Sequence, residues 1–444
     1  MNNLYILGEE SPSLEIITVI SWHLKKDINV NLSEVTYKYL SINNNLSFEV
    51  VGSGISQYDK IYYVMVSSTG NSFTDYLIFE GENPPEKDSK PVAALEATKN
   101  HGKESGNMSD QRTPKMISLL EKYGQELRCG YLVNNHNTIT KTIDSFSHVH
   151  DCAFAAMNAI GVEVIVAQFG SSKYKEYQVP FKYDCIENVI DEENKKRNGR
   201  GVSSRVFQTG DNEFEIQVNL YKLRGNHDPG EGYLASRAYV VRKLHPNAVI
   251  TIINHRQTKV YFNRKNNKLI NLLKFVGVNV NMGDSSITIK REEDVYDKDY
   301  WEYTKTGEKN SSIVLEQLLI KKGFEIIFTN HAGCGKSYIE INGKFFQAEK
   351  TKGIPDIVAF DRENNILLVI EGETSKNYGK GIKQVRDPAF DTFIKREFVS
   401  RIGNDVKVKK YLCTFGKYNN EPEVLFNLTE NHKMNYNENA VEIK

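Results

Sequence analysis

The chain is expected to be an α/β protein with two cores of the same kind, each a mixed central sheet flanked by helices and built in the order αβββαβ. Two observations predict this. An eight-residue string, Glu96 to Lys103 (EATKNHGK), recurs barely altered as Glu373 to Lys380 (ETSKNYGK). Each copy also closes an apolar run, Val92–Leu95 in the first and Ile366–Ile370 in the second. A second apolar run, opened by an acid, precedes each: Asp75–Phe79 and Asp356–Phe360. At 444 residues the chain exceeds one ordinary core, so two modules are the natural division.

The second module reads element by element. Ser311–Lys322 carries apolar residues at Ile313, Leu315, Leu318 and Leu319 behind a serine cap, and Gly323 stops it, which predicts a helix. Phe324–Phe328, Lys344–Gln347, Asp356–Phe360 and Ile366–Ile370 predict strands. Lys383–Ser400 predicts a helix flawed near its start by Pro388, and Lys409–Phe415 a closing strand.

The first module repeats the order: a helix at Leu14–Leu24, a strand at Lys60–Val66, the two motif strands, a helix at Gln111–Tyr123 and a strand at Arg128–Val133. A long insertion at about 140–290 holds predicted helices at His148–Ile160 and Tyr233–Leu244. Its predicted strands are Val162–Phe169, Glu213–Leu223 and Ala248–Ile253. The boundaries are therefore 1–290 for the N-terminal module, 291–310 for a charged linker, and 311–444 for the C-terminal module.

Composition narrows the class. Hydrophobic content of 39% and charged content of 26% describe a globular protein, and no apolar run is long enough to span a bilayer. The start, Met1-Asn-Asn-Leu-Tyr-Ile, lacks a basic region followed by an apolar core, so cytoplasmic residence is expected. Five scattered cysteines without CxxC spacing argue against a disulfide framework and a zinc site. Basic and acidic residues balance at 57 each, so attraction to nucleic acid would rest on local clusters, such as Lys195–Arg200 with Arg205, and Lys407–Lys410.

The chemistry of the repeated segment needs its residue types. Two carboxylates at adjacent strand ends can grip a divalent cation through hard oxygen ligands. A metal there would polarise a phosphate and lower the pKa of bound water. A lysine nearby can orient that water or offset charge on the phosphoryl oxygens. In this arrangement Pro355-Asp356 through Lys376 resembles the PD-(D/E)XK nuclease superfamily, best known from type II restriction endonucleases. Asp75 through Lys99 resembles it less closely, with Thr74 in place of the proline.

The resemblance implies catalytic residues Asp75, Glu96, Lys99, Asp356, Glu373 and Lys376. It implies Mg²⁺ held by Asp75, Glu96, Asp356, Glu371 and Glu373. Lys103, Lys380, Arg237 and Arg242 are the candidate DNA contacts, the last two on a helix entered through the turn His227–Gly232. A glutamate of the first helix sometimes completes such a site, and Glu15 and Glu316 hold that place.

The spacing departs from the family's Glu-x-Lys, being Glu-x-x-Lys in both copies. Side chains alternate along a strand, so Lys99 and Lys376 reach the site only if the strand bulges or ends. Glu371-Gly-Glu373 offers the alternative Glu-x-Glu form. The lysines are favoured, because both copies keep them whereas Ala94 stands where Glu371 would be.

The expected activity is Mg²⁺-dependent hydrolysis of double-stranded DNA by a restriction-like endonuclease, as a monomer or homodimer. Two active modules in one chain, a pseudodimer, are favoured. The alternatives are a DNA-binding protein with inactive nuclease folds and a P-loop NTPase. The last rests on His331–Ser337 (HAGCGKS), which has Asn330 where a Walker glycine belongs and is followed by a strand pattern ending in Asn342-Gly343.

Overall fold

The computed structural model describes residues 2–8, 36–51, 57–66, 74–98, 122–134, 161–167, 204–218, 245–254, 307–330, 338–347 and 353–444, less 44, 87 and 343, with isolated helical positions between them. It is a mixed α/β structure with mixed sheets.

The N-terminal sheet has eight strands. They are β1 (Asn3–Gly8), β2 (Thr36–Ile42), β3 (Asn45–Val51), β4 (Ile61–Met65), β5 (Tyr76–Gly81), β6 (Ala93–Thr98), β7 (Arg128–Asn134) and β8 (Val162–Ala167), in the order β2-β3-β4-β1-β5-β6-β7-β8. The neighbour of β5 is therefore β1 and not the predicted Lys60–Val66 strand, which pairs on the far side of β1. Leu4, Tyr5, Ile6 and Leu7 are all buried, and a run apolar on both faces takes a central place in a sheet.

Three further strands form a separate sheet: β9 (Ser204–Gly210), β10 (Glu213–Val218) and β11 (Val249–Asn254). β10 runs antiparallel to β9 and parallel to β11, and a helical stretch containing 236–238 lies between β10 and β11 in sequence. This is the strand-strand-helix-strand order of the motif segments.

The C-terminal module opens with α1 (Glu308–Lys321), which ends at Gly323, whose φ of 90° suits glycine alone. A six-stranded sheet follows in the order β12-β15-β16-β17-β18-β19. Its members are β12 (Glu325–Thr329), β15 (Ile357–Asp361), β16 (Ile366–Thr374), β17 (Lys407–Phe415), β18 (Val424–Leu428) and β19 (Met434–Tyr436). The hairpin β13 (Tyr338–Ile341) and β14 (Lys344–Gln347) stands apart, with Asn342 at a φ of 53° as its turn requires. The strand predicted after His331–Ser337 is thus present. The glycine-rich segment itself lies outside the described residues, as do Lys99, Lys103, Glu15 and Arg242.

Between β16 and β17 the chain makes a 3₁₀ turn (Ser375–Asn377), then α2 (Tyr378–Val385) and α3 (Pro388–Ile394), which continues through a π turn to Ile402. The single helix predicted over Lys383–Ser400 is two. Pro388 is not a flaw inside a helix but the first residue of α3, and Asp387 caps it by accepting the Ala389 N–H at 2.9 Å.

The sheet is covered on both sides. Ile313, Leu315 and Leu319 of α1 pack with Ile357, Ala359, Leu368 and Ile370. Ile382, Val385, Phe390 and Phe393 of α2 and α3 pack with Val358, Leu367 and Val369. The unbroken apolar run Ile366–Ile370 is what a strand buried on both faces requires.

β1, β5, β6, β7 and β8 stand in the same order, with the same relative directions, as β12, β15, β16, β17 and β18.

Candidate active site

Asp356 immediately precedes β15. Its N–H donates to the Ile370 carbonyl at 3.0 Å, and Ile357 pairs with Ile370, so Asp356 stands across from Glu371. Its Oδ2 accepts the Gly372 N–H at 2.7 Å, from the peptide that joins Glu371 to Gly372. β16 stays in unbroken register with β17 from Ile366 to Thr374, with no bulge. Glu371 and Glu373 therefore share a face, and Gly372 points the other way.

Each face is set by what packs on it. Toward α1, a Cβ at position 372 would lie 2.7 Å from both Asp356 Oδ2 and Ser312 Oγ, so only glycine fits that close approach. Toward α2, Gln384 Nε2 donates to Glu371 Oε1 at 2.5 Å and Lys380 Nζ to Glu373 Oε1 at 2.6 Å. Both glutamates are buried, at 5% and 2% exposure. Glu373 Oε2 is buried without a hydrogen-bond donor among the described residues. A buried carboxylate oxygen left so is costly unless a cation or water satisfies it.

The geometry sets the two lysines apart. The strand ends at Thr374, and Lys376 lies exposed in the 3₁₀ turn beyond it. β16 does not bulge before that turn. α2 instead folds its first turn over the strand end and delivers Lys380, placed above among the DNA contacts. Beneath the site Cys413 pairs in register with Gly372. Burial pushes its thiol up to about 12; hydrogen bonding from Ser311 opposes this and the charge of Asp356 adds to it. It is a packing group and not a nucleophile. Glu316 is buried on α1, one turn after Ser312.

The N-terminal copy has the same framework. Tyr76 pairs with Leu95, so Asp75 stands across from Glu96, and Asp75 Oδ2 accepts the Ala97 N–H at 2.7 Å. Asp75 thus matches Asp356, Glu96 matches Glu371, Ala97 matches Gly372 and Thr98 matches Glu373. The repeated string and the repeated sheet are out of step by two residues. Glu96 and Glu373 share a place in the string but not in the structure.

Glu96 is fully buried. Lys115 Nζ lies 2.8 and 2.9 Å from its two oxygens, and Arg112 Nε lies 2.8 Å from Oε1 as an ion contact without a straight hydrogen bond. Arg237, expected to face DNA, is instead fully buried and donates from Nη1 to Ser236 Oγ at 2.7 Å. A side chain with no exposed area reaches no phosphate.

Arg112, Lys115 and Gln384 do not follow from motif spacing. All three lie on helices after a motif strand, where only the fold tells which side chains turn back. Among the described residues no three His, Cys, Asp or Glu side chains are grouped closely enough to hold a metal ion. No family model matches the chain, and no curated protein or solved structure does.

Proposed function

We propose that the chain is a divalent-metal-dependent endonuclease acting on double-stranded DNA, with its reactive carboxylates in the C-terminal module. One observation carries the reading. Glu373 presents a buried carboxylate oxygen with no donor among the described residues, two positions after Glu371, whose cross-strand neighbour is Asp356. That donor set suits a hard divalent ion such as Mg²⁺.

Glu371 and Glu373, which share a face, would offer oxygens to the ion, and bound there it would supply Lewis-acid polarisation of a phosphate and a more acidic water. The chain's own groups do the rest. Gly372 fixes Asp356 through its N–H, and Gln384 holds Glu371. Lys380, with a side chain 69% exposed, can leave Glu373 and turn to a phosphate. Lys376, Lys380, Lys383 and Arg386 are all exposed on the turn and α2, a basic strip beside the acids that would attract the DNA backbone.

A second reading, a DNA-binding protein without catalysis, is favoured by one fact. Each of the three carboxylates already receives a protein donor. Incubation of supercoiled plasmid with wild type and with Glu373→Gln, in Mg²⁺ and in EDTA, separates the two. Mg²⁺-dependent nicking by wild type alone supports the nuclease. DNA retention on a gel without cleavage in any condition supports the second reading.

A further inference from the structure

We infer that Glu96 of the N-terminal acidic pair is closed by cations of its own chain, so that the pair takes no divalent ion and leaves the protein with one catalytic centre per chain. The count of centres rests on the endonuclease reading of the C-terminal site.

The two acidic pairs occupy the same place in their sheets, and Asp75 and Asp356 each accept a backbone N–H at 2.7 Å from the strand opposite. What differs is the helix that follows. Over Glu371 it places the neutral amide of Gln384. Over Glu96 it places two cations, Lys115 on both oxygens and Arg112 on Oε1. The Asp75 N–H at 3.1 Å and the Thr74 hydroxyl at 3.3 Å add further donors to Oε2.

Charge and access agree. Lys115 and Arg112 both stand against the one buried carboxylate of Glu96, where a divalent ion would have to bind. The third ligand position holds Thr98 where the C-terminal strand has Glu373. The side chains of Glu96 and Lys115 are 0% and 3% exposed, so an entering ion would have to displace a buried ammonium and leave it unpaired. Glu96 is thus held by two cations of its own chain at the place where the other module is proposed to offer oxygens to a metal. Cleavage of both DNA strands then takes two chains or two successive events.

Mn²⁺ binding to the full chain, read by electron paramagnetic resonance, together with thermal melting, tests this. Glu373→Gln is expected to weaken Mn²⁺ binding by at least about tenfold. Glu96→Gln is expected to leave Mn²⁺ binding unchanged while lowering the melting temperature by about 5 °C, because the buried Lys115 and the half-buried Arg112 lose their counter-charge. Asp75→Asn, at a partly exposed position, gives the same answer on binding should Glu96→Gln not fold. Loss of Mn²⁺ binding in either N-terminal variant comparable to that of Glu373→Gln overturns the inference. A wild-type chain that binds no Mn²⁺ sinks the nuclease reading. The melting arm then decides for the ion cluster alone: an unchanged melting temperature in Glu96→Gln overturns it.

Discussion

Truncating Lys380 while keeping Lys376 separates the lysine selected by the fold from the one selected by spacing. The Lys380 ammonium lies 2.6 Å from Glu373 Oε1, and the carboxylate it meets is 2% exposed. Breaking a fully buried pair costs about 3–5 kcal/mol, whereas an exposed pair contributes about 0–1 kcal/mol. With the lysine side chain 69% exposed, water screens the pair, and about 1 kcal/mol is the reasonable stability cost of Lys380→Ala. That lowers the melting temperature by about 2–4 °C. The effect on rate is larger. A charge positioned against developing phosphoryl charge contributes roughly 10²–10³-fold, near 3–4 kcal/mol of barrier.

Lys376→Ala removes only an exposed cation of the basic strip. It should weaken DNA binding and reduce the salt slope by about one unit, with the rate at saturating enzyme preserved. Single-turnover nicking of supercoiled plasmid, beside melting curves for both variants, reads these quantities. Equal rate losses in Lys376→Ala and Lys380→Ala, or full activity in Lys380→Ala, would refute the placement.

Gln384→Ala releases Glu371 Oε1 from its 2.5 Å bond, and loss of that partner from a carboxylate proposed to ligate the ion should raise the Mg²⁺ concentration for half-maximal cleavage about 10–100-fold. A Mg²⁺ titration with an unshifted midpoint would count against the assigned role. For Glu397, burial pushes the carboxyl pKa up, but bonds from Arg401 and Arg396 outweigh it and hold it below its ordinary 4.5. The native state thus binds fewer protons than the unfolded chain, so the stabilisation is full above 4.5 and fades as pH falls through the depressed native value. Urea unfolding of Glu397→Gln should accordingly show a weaker acid-side loss of stability than wild type; parallel curves would contradict it. Phe393 is 1% exposed and packs edge-on against Phe398 with ring centroids 5.9 Å apart, so Phe393→Ala should cost about 3–5 kcal/mol. A denaturation midpoint near wild type would show that the α3 face is not packed as described.

The parts of the fold that announce themselves locally were legible. Ile366–Ile370 reads as a strand buried on both sides because every residue is apolar, and Gly323 marks the end of α1 because its left-handed φ of 90° suits glycine. What local patterns leave open is which elements meet. β1 is as apolar as any motif strand, yet nothing in Leu4–Leu7 says that it will sit between β4 and β5.

The site shows the same limit. String matching aligned Glu96 with Glu373, because the repeat is carried by turn-forming residues after the strand. Register is set by cross-strand pairing, and it aligns Glu96 with Glu371. The Glu371-Gly372-Glu373 alternative was visible from the two-residue period of a strand. The preference for Lys376 required the strand to bulge or to end; β16 does not bulge, and it ends at Thr374, two residues before the lysine. Lys380 and Lys115 lie on helices whose faces depend on how each helix packs across its sheet, which one turn of sequence cannot reveal.

The most direct measurement is the Mg²⁺ dependence of plasmid nicking in Glu371→Gln, Glu373→Gln and the wild-type chain, each shown to be folded by circular dichroism. The account predicts nicking by wild type that EDTA abolishes, and a loss of orders of magnitude in each variant, since each removes a carboxylate from the proposed ion-binding set. Wild-type nicking rates in both folded variants, or wild-type cleavage that persists in EDTA, would contradict it.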